Sequence, residues 1–181
     1  MRKSMKVVVL VEVAMMIALT ATLEIVFSNL GMILFPQGGS ISVTALPLMI
    51  LSIRRGFTVG IFAGLIYGIF QYILPVPIYF LTPIQYMFDY VLPYAFLAFV
   101  VLFKKSNVRN LSIGALLAGV LKYLSHVIAG IAFWGEYAPE SFNATTWSFY
   151  YNATYSIPSI IVCWIIIIFI YKINDQIIKI M

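Results

Sequence analysis

Val7-Val8-Val9-Leu10-Val11-Glu12-Val13-Ala14-Met15-Met16-Ile17-Ala18-Leu19-Thr20-Ala21-Thr22-Leu23-Glu24-Ile25-Val26-Phe27-Ser28 decides the fold of this chain. Its charges are Glu12 and Glu24 alone, and it is long enough to cross a hydrocarbon core, which takes roughly 20 mostly apolar helical residues. Arg2, Lys3 and Lys6 ahead of it resemble the start of a signal peptide. The run is too long for one, holds two carboxylates and lacks a convincing cleavage site, so it reads as a first transmembrane helix. Further apolar segments follow at roughly 41–53, 56–74, 84–103, 111–135 and 147–171. The 181 residues are 63% hydrophobic and 9% charged, against about 25% charged in soluble domains, which excludes a water-soluble fold. The expectation is one all-α integral membrane domain over residues 1–181, with six transmembrane helices. The segment 41–53 is short and contains Pro47, so it is expected to be tilted, kinked or a partial span.

The charges sort by side. If all six segments cross, Arg2, Lys3, Lys6, Arg54, Arg55, Lys104, Lys105, Arg109, Lys172 and Lys179 share one side, and Glu136 and Glu140 lie on the other. By the positive-inside rule both termini are cytoplasmic, and the net charge of +5 marks membrane orientation rather than nucleic-acid binding. One cysteine, Cys163, in an apolar stretch excludes a disulfide framework and a cysteine-rich metal site. The external connections are longer and more aromatic than the cytoplasmic turns. The first contains Pro36-Gln37-Gly38-Gly39-Ser40, the second Pro75-Val76-Pro77, and the third Tyr137, Pro139 and Phe142. Loops on a rigid scaffold carry function, so a binding site is expected at the outer face.

Two small-residue stripes mark close helix packing: Gly56, Gly60, Gly64 and Gly68 on the third segment, and Ala14 with Ala18 on the first. From spacing alone both read as internal packing. Charges within spans cost roughly 2.5–3.5 kcal/mol each on insertion scales and need a partner or a role. Glu12 and Glu24 lie near the two ends of the first helix and are expected to reach the interfaces. Asp89 followed by Tyr90 lies in the first half of the fourth segment. Lys122, His126, Gly130 and Trp134 recur every fourth residue over about 18 Å of one helix face, which can line a slot for a flat, polar, heteroaromatic ligand. Trp147, Tyr150, Tyr151 and Asn152 open the sixth segment at the same level and can complete that pocket. The plainer alternative is a Lys122–Asp89 ion pair, a core histidine and an interfacial tryptophan.

These residues carry a resemblance. Pro36-Gln37-Gly38-Gly39-Ser40, Leu51-Ser52-Ile53-Arg54-Arg55-Gly56, Leu121-Lys122-Tyr123 through His126, Ala129-Gly130, Phe133-Trp134, Tyr137-Ala138-Pro139-Glu140 and Tyr151-Asn152 together resemble the thiamin-specific S components of energy-coupling-factor transporters. The resemblance implies a six-helix bundle in a bacterial cell membrane. It also implies a thiamin pocket near the outer face, capped by the loop between the first two helices. Ligand contacts carry over to Asp89, Tyr90, Lys122, His126, Gly130, Trp134 and Asn152. Ala14 and Ala18 become a docking motif for a transmembrane coupling subunit, which in turn works with two ATPase subunits. The family pattern has glutamate at the position of Asp89 and tyrosine at that of Trp147.

The chemistry suits a cation. Trp134 and Tyr90 can hold a thiazolium ring by cation–π attraction, about 2 kcal/mol when desolvated. Asp89 can offset the charge or accept from the aminopyrimidine, His126 and Asn152 can bond ring nitrogens, and Lys122 can fix Asp89 or the hydroxyl tail. No cofactor or metal is called for. The alternatives are an S component for another vitamin, an intramembrane enzyme using Lys122, His126 and Asp89, or an autonomous proton-coupled carrier. The chain has no phosphate-binding loop, one histidine and no internal repeat, which weighs against ATP hydrolysis by the chain itself, the enzyme and the carrier respectively.

Overall fold

The computed structural model describes residues 2–29, 38–79, 81–103 and 107–173, with side chains from residue 6 onward. These residues form a helical bundle: α1 (Arg2–Asn29), α2 (Leu46–Arg55), α3 (Phe57–Ile73), α4 (Pro83–Val101), α5 (Val108–Phe133) and α6 (Ala144–Ile173). By length and composition α1, α4, α5 and α6 can each cross a membrane. Large apolar side chains on their outer faces, such as Leu10, Met15, Ile128, Ile165 and Phe169, are exposed, as a hydrocarbon solvent requires. The core between them is built from Leu48, Leu51, Ile53, Ala63, Tyr67 and Leu97.

The second expected span resolves as a partial one. Pro47 lies in the first turn of α2, where its missing N–H has no helical partner to lose, so it opens the helix instead of kinking it. Ten residues rise only about 15 Å, half the hydrocarbon thickness. Ahead of α2 the backbone from Gly38 to Ala45 is non-helical. The Ser42 N–H donates to Ser159 Oγ of α6 at 3.1 Å and the Leu46 N–H to Val43 O at 3.0 Å. Such backbone is tolerated at depth because protein, not lipid, covers it.

Gly56 separates α2 from α3 at φ +90°, a conformation that L side chains rarely adopt, and nothing lies within 4 Å of where its Cβ would be. It is therefore a hinge residue and not part of the packing stripe. Gly60, Gly64 and Gly68 do form that stripe. A Cβ at Gly60 would meet the Ser52 side chain, and at Gly64 and Gly68 the backbone of Tyr94–Ala95 and Tyr90–Val91 on α4.

The two carboxylates of α1 do not serve the interfaces. Glu12 pairs with both Arg54 and Arg55 at the end of α2, which joins the N-terminal half of α1 to the α2–α3 hinge. Glu24 turns inward, where its Oε2 accepts from the Tyr94 hydroxyl at 3.0 Å. A buried carboxylate takes a donor within the protein whenever one is in reach, because lipid offers none. Arg54 and Arg55 thereby lie at the same end of the bundle as the start of α1. Lys104, Lys105 and Lys179, and most of the first external loop, lie outside the described residues.

Candidate ligand-binding site

α4 is irregular where it carries the site. The Thr82 hydroxyl accepts from the Gln85 N–H at 3.1 Å and Pro83 follows, a strong helix start. From Met87 to Val91 the helix widens to a π turn, in which the Leu92 N–H reaches Met87 O. In that register residue 93 would donate to Phe88 O, but Pro93 has no N–H. Ser125 of α5 supplies the missing donor, its hydroxyl bonding Phe88 O at 2.6 Å. The extra residue in the turn presents the neighbours Asp89 and Tyr90 to one cavity.

That cavity has a volume of about 210 Å³ and is lined by Asp89, Tyr90, Lys122, His126, Gly130, Trp134, Trp147, Tyr151 and Asn152. Asp89 is its hub. Gln85, one helical turn earlier and fully buried, donates to Oδ2, and so does the Trp134 indole N–H at 3.3 Å. His126 Nδ1 lies 3.4 Å from Oδ1. An ionised carboxylate only accepts, so this contact places a proton on Nδ1 and, in neutral His126, leaves Nε2 as an acceptor. Lys122 does not pair with Asp89: its ammonium sits 4.0 Å from the centroid of the Tyr94 ring, and it makes no ion pair among the described residues.

Three residues are more committed than their sequence positions suggest. Tyr90 stacks on Tyr86, with centroids 4.8 Å apart and planes at 16°, so one of its faces is covered. Its hydroxyl grips the backbone of Tyr79, accepting from the N–H at 2.8 Å and donating to the carbonyl at 3.1 Å. The Asn152 amide donates to Ser148 O at 2.9 Å and Oγ at 3.2 Å, while its carbonyl accepts from the Tyr155 hydroxyl. Gly130 faces Ser148 and Asn152, so its missing side chain admits α6 as well as bordering the cavity.

The wall from Gly38 to Ala45 is tied to α6. The Tyr151 hydroxyl donates to Gly38 O at 2.8 Å, and Gly39, at φ +92°, rests against the Tyr155 ring. Trp147 packs between Tyr151 and Phe142, at 5.6 and 5.4 Å between centroids. Glu24, Tyr94, Tyr155 and Gln85 are participants that the sequence reading missed. Tyr155 follows Tyr151 by four residues and Gln85 precedes Asp89 by four, a spacing that could have found both. Ala14 and Ala18 are exposed on the outer face of α1, which corrects the internal packing expected from spacing alone.

Such a bundle, with a polar and aromatic cavity and a charge at its centre, defines a membrane-embedded protein that binds a small polar ligand. Residues 10–179 match the family described as "Thiamine transporter protein (Thia_YuaJ)". The thiamine transporter ThiT of Bacillus subtilis (strain 168) is 33% identical over 99% of this chain and 98% of its own length. The ThiT of Lacticaseibacillus paracasei is 26% identical over 84% of this chain and 81% of its own. A solved structure of ThiT from Listeria monocytogenes superposes with a TM-score of 0.83 at 27% identity, covering 96% of this chain and 98% of that one. The chain belongs to the thiamine transporter family. Its role is transport rather than catalysis, as a multi-pass protein of the cell membrane.

Proposed function

We propose that this chain is a thiamin-binding S component that presents the vitamin to an energy-coupling-factor module. The observation that carries the reading is the Asp89 carboxylate, held at the centre of an aromatic cavity by neutral donors and, among the described residues, without a basic partner other than His126. A thiazolium supplies the missing positive charge, and Trp134 offers a ring beside it. His126 Nε2 is the acceptor for the aminopyrimidine N–H. Asn152 acts mainly by holding Ser148 and Tyr155 in place, because its amide bonds are spent within the protein. Ala14 and Ala18 form the docking surface for the coupling subunit, whose two ATPases drive release, and their exposure on α1 supports this.

Intrinsic tryptophan fluorescence of the detergent-purified chain tests the reading, since Trp134 borders the ligand. Saturable quenching by thiamin is expected, weakened by about tenfold or more in Asp89→Asn, because a charge-assisted contact is worth about 1.5–3 kcal/mol. Full affinity in Asp89→Asn refutes the placement of the thiazolium. Absence of any response to thiamin, with quenching by another vitamin, reassigns the ligand.

A further inference from the structure

Two carboxylates, Glu24 and Asp89, and one ammonium, Lys122, line the cavity together with His126. Counting His126 neutral, they sum to one negative charge, so a single positive charge on a ligand brings the cavity to neutrality inside a medium that penalises net charge. What matters is which carboxylate the ammonium satisfies. Lys122 lies on the face of the Tyr94 ring at 4.0 Å, and the Tyr94 hydroxyl donates to Glu24 Oε2 at 3.0 Å. Tyr67 meets the same ring at 4.5 Å between centroids and 69° between planes, which fixes its orientation. A phenol that donates to a carboxylate gains electron density in its ring and holds a cation more strongly. The ring therefore relays the charge of Glu24 to Lys122 without direct contact.

We propose that Glu24 is a positioning and specificity residue of this site: through Tyr94 it holds the Lys122 ammonium toward α1, and so keeps the Asp89 carboxylate available to a ligand with one positive charge. This rests on the thiamin reading. Without the charge on Glu24, Lys122 turns to Asp89, and the resulting ion pair cancels the field a cation would feel while leaving an uncharged ligand of the same shape unaffected.

Calorimetric titration of the purified full chain with two probes tests this. One is thiamin; the other is its isostere in which carbon replaces the quaternary nitrogen, giving an uncharged thiophene. Glu24→Gln is expected to weaken thiamin by about tenfold or more and the isostere by less than about threefold, and Glu24→Asp to recover part of the loss. Tyr94→Phe, which keeps the ring and removes the hydroxyl link, is expected to show the same selective loss and decides the matter if Glu24→Gln does not fold. Equal losses for both probes, or none for either, overturn the role of Glu24. Wild-type protein that fails to bind thiamin overturns the thiamin reading itself, a result seen before any variant is made.

Discussion

Adding one methyl group at Gly130 separates its two roles. A Cβ there would overlap Ser148 Oγ and come within 3.1 Å of Ser148 Cβ and 3.2 Å of Asn152 Nδ2. Ser148 cannot yield freely, because its hydroxyl donates to Val127 O at 2.8 Å and supports Asn152. Overpacking a tight contact costs about 1–3 kcal/mol, and a lost buried hydrogen bond about 1 kcal/mol more, so Gly130→Ala should destabilise the fold by about 2–4 kcal/mol. It should also shift Asn152 and weaken thiamin binding, since every 1.4 kcal/mol lost from the bound state is about tenfold in affinity. The second substitution Ser148→Ala removes the overlapping oxygen and should restore at least about 1 kcal/mol, a coupling expected of residues in contact. Thermal unfolding in detergent and thiamin titration of the single and double variants measure both. A Gly130→Ala protein as stable as its parent, or one that Ser148→Ala does not rescue, refutes the account of the α5–α6 contact.

Ala14→Leu with Ala18→Leu should leave thiamin binding intact and abolish both co-purification with the coupling subunit and uptake by cells, as both positions are exposed and neither lines the cavity. Glu12→Gln leaves Arg54 and Arg55 without their shared carboxylate and should lower stability by about 1–3 kcal/mol, between the values for exposed and buried pairs, measurable as a lower unfolding midpoint. Gly56→Ala should cost about 1–3 kcal/mol although the surrounding space is open, because the penalty is backbone conformation alone; an unchanged midpoint would show that the hinge relaxes.

The spans were legible because lipid enforces a simple rule: α1, α4, α5 and α6 begin and end within a few residues of the apolar segments read from sequence. The Lys122–Trp134 face was legible for the same reason, since a fourfold spacing on a regular helix leaves no choice of side. What failed depended on neighbours. Their positions near the ends of α1 let Glu12 and Glu24 reach the interfaces, but the Arg54–Arg55 pair and Tyr94, both distant in sequence, supply their donors. Gly56 looked like the first member of a stripe because spacing carries no information about φ. The covered face of Tyr90 and the spent amide of Asn152 arise from packing that no periodicity encodes.

The π turn at Met87–Val91 makes the site a matter of register. Removing one residue from that turn would return α4 to ordinary helical winding, with Thr82 still available to start it, and the bundle would have little reason to unfold. Asp89, however, would rotate by about 100° relative to Tyr94 and leave the cavity. Within this helix, then, the ability to hold a ligand is set by a single inserted step of the backbone, and it can be lost by removing an apolar residue of the turn while every side chain of the site is still present in the chain.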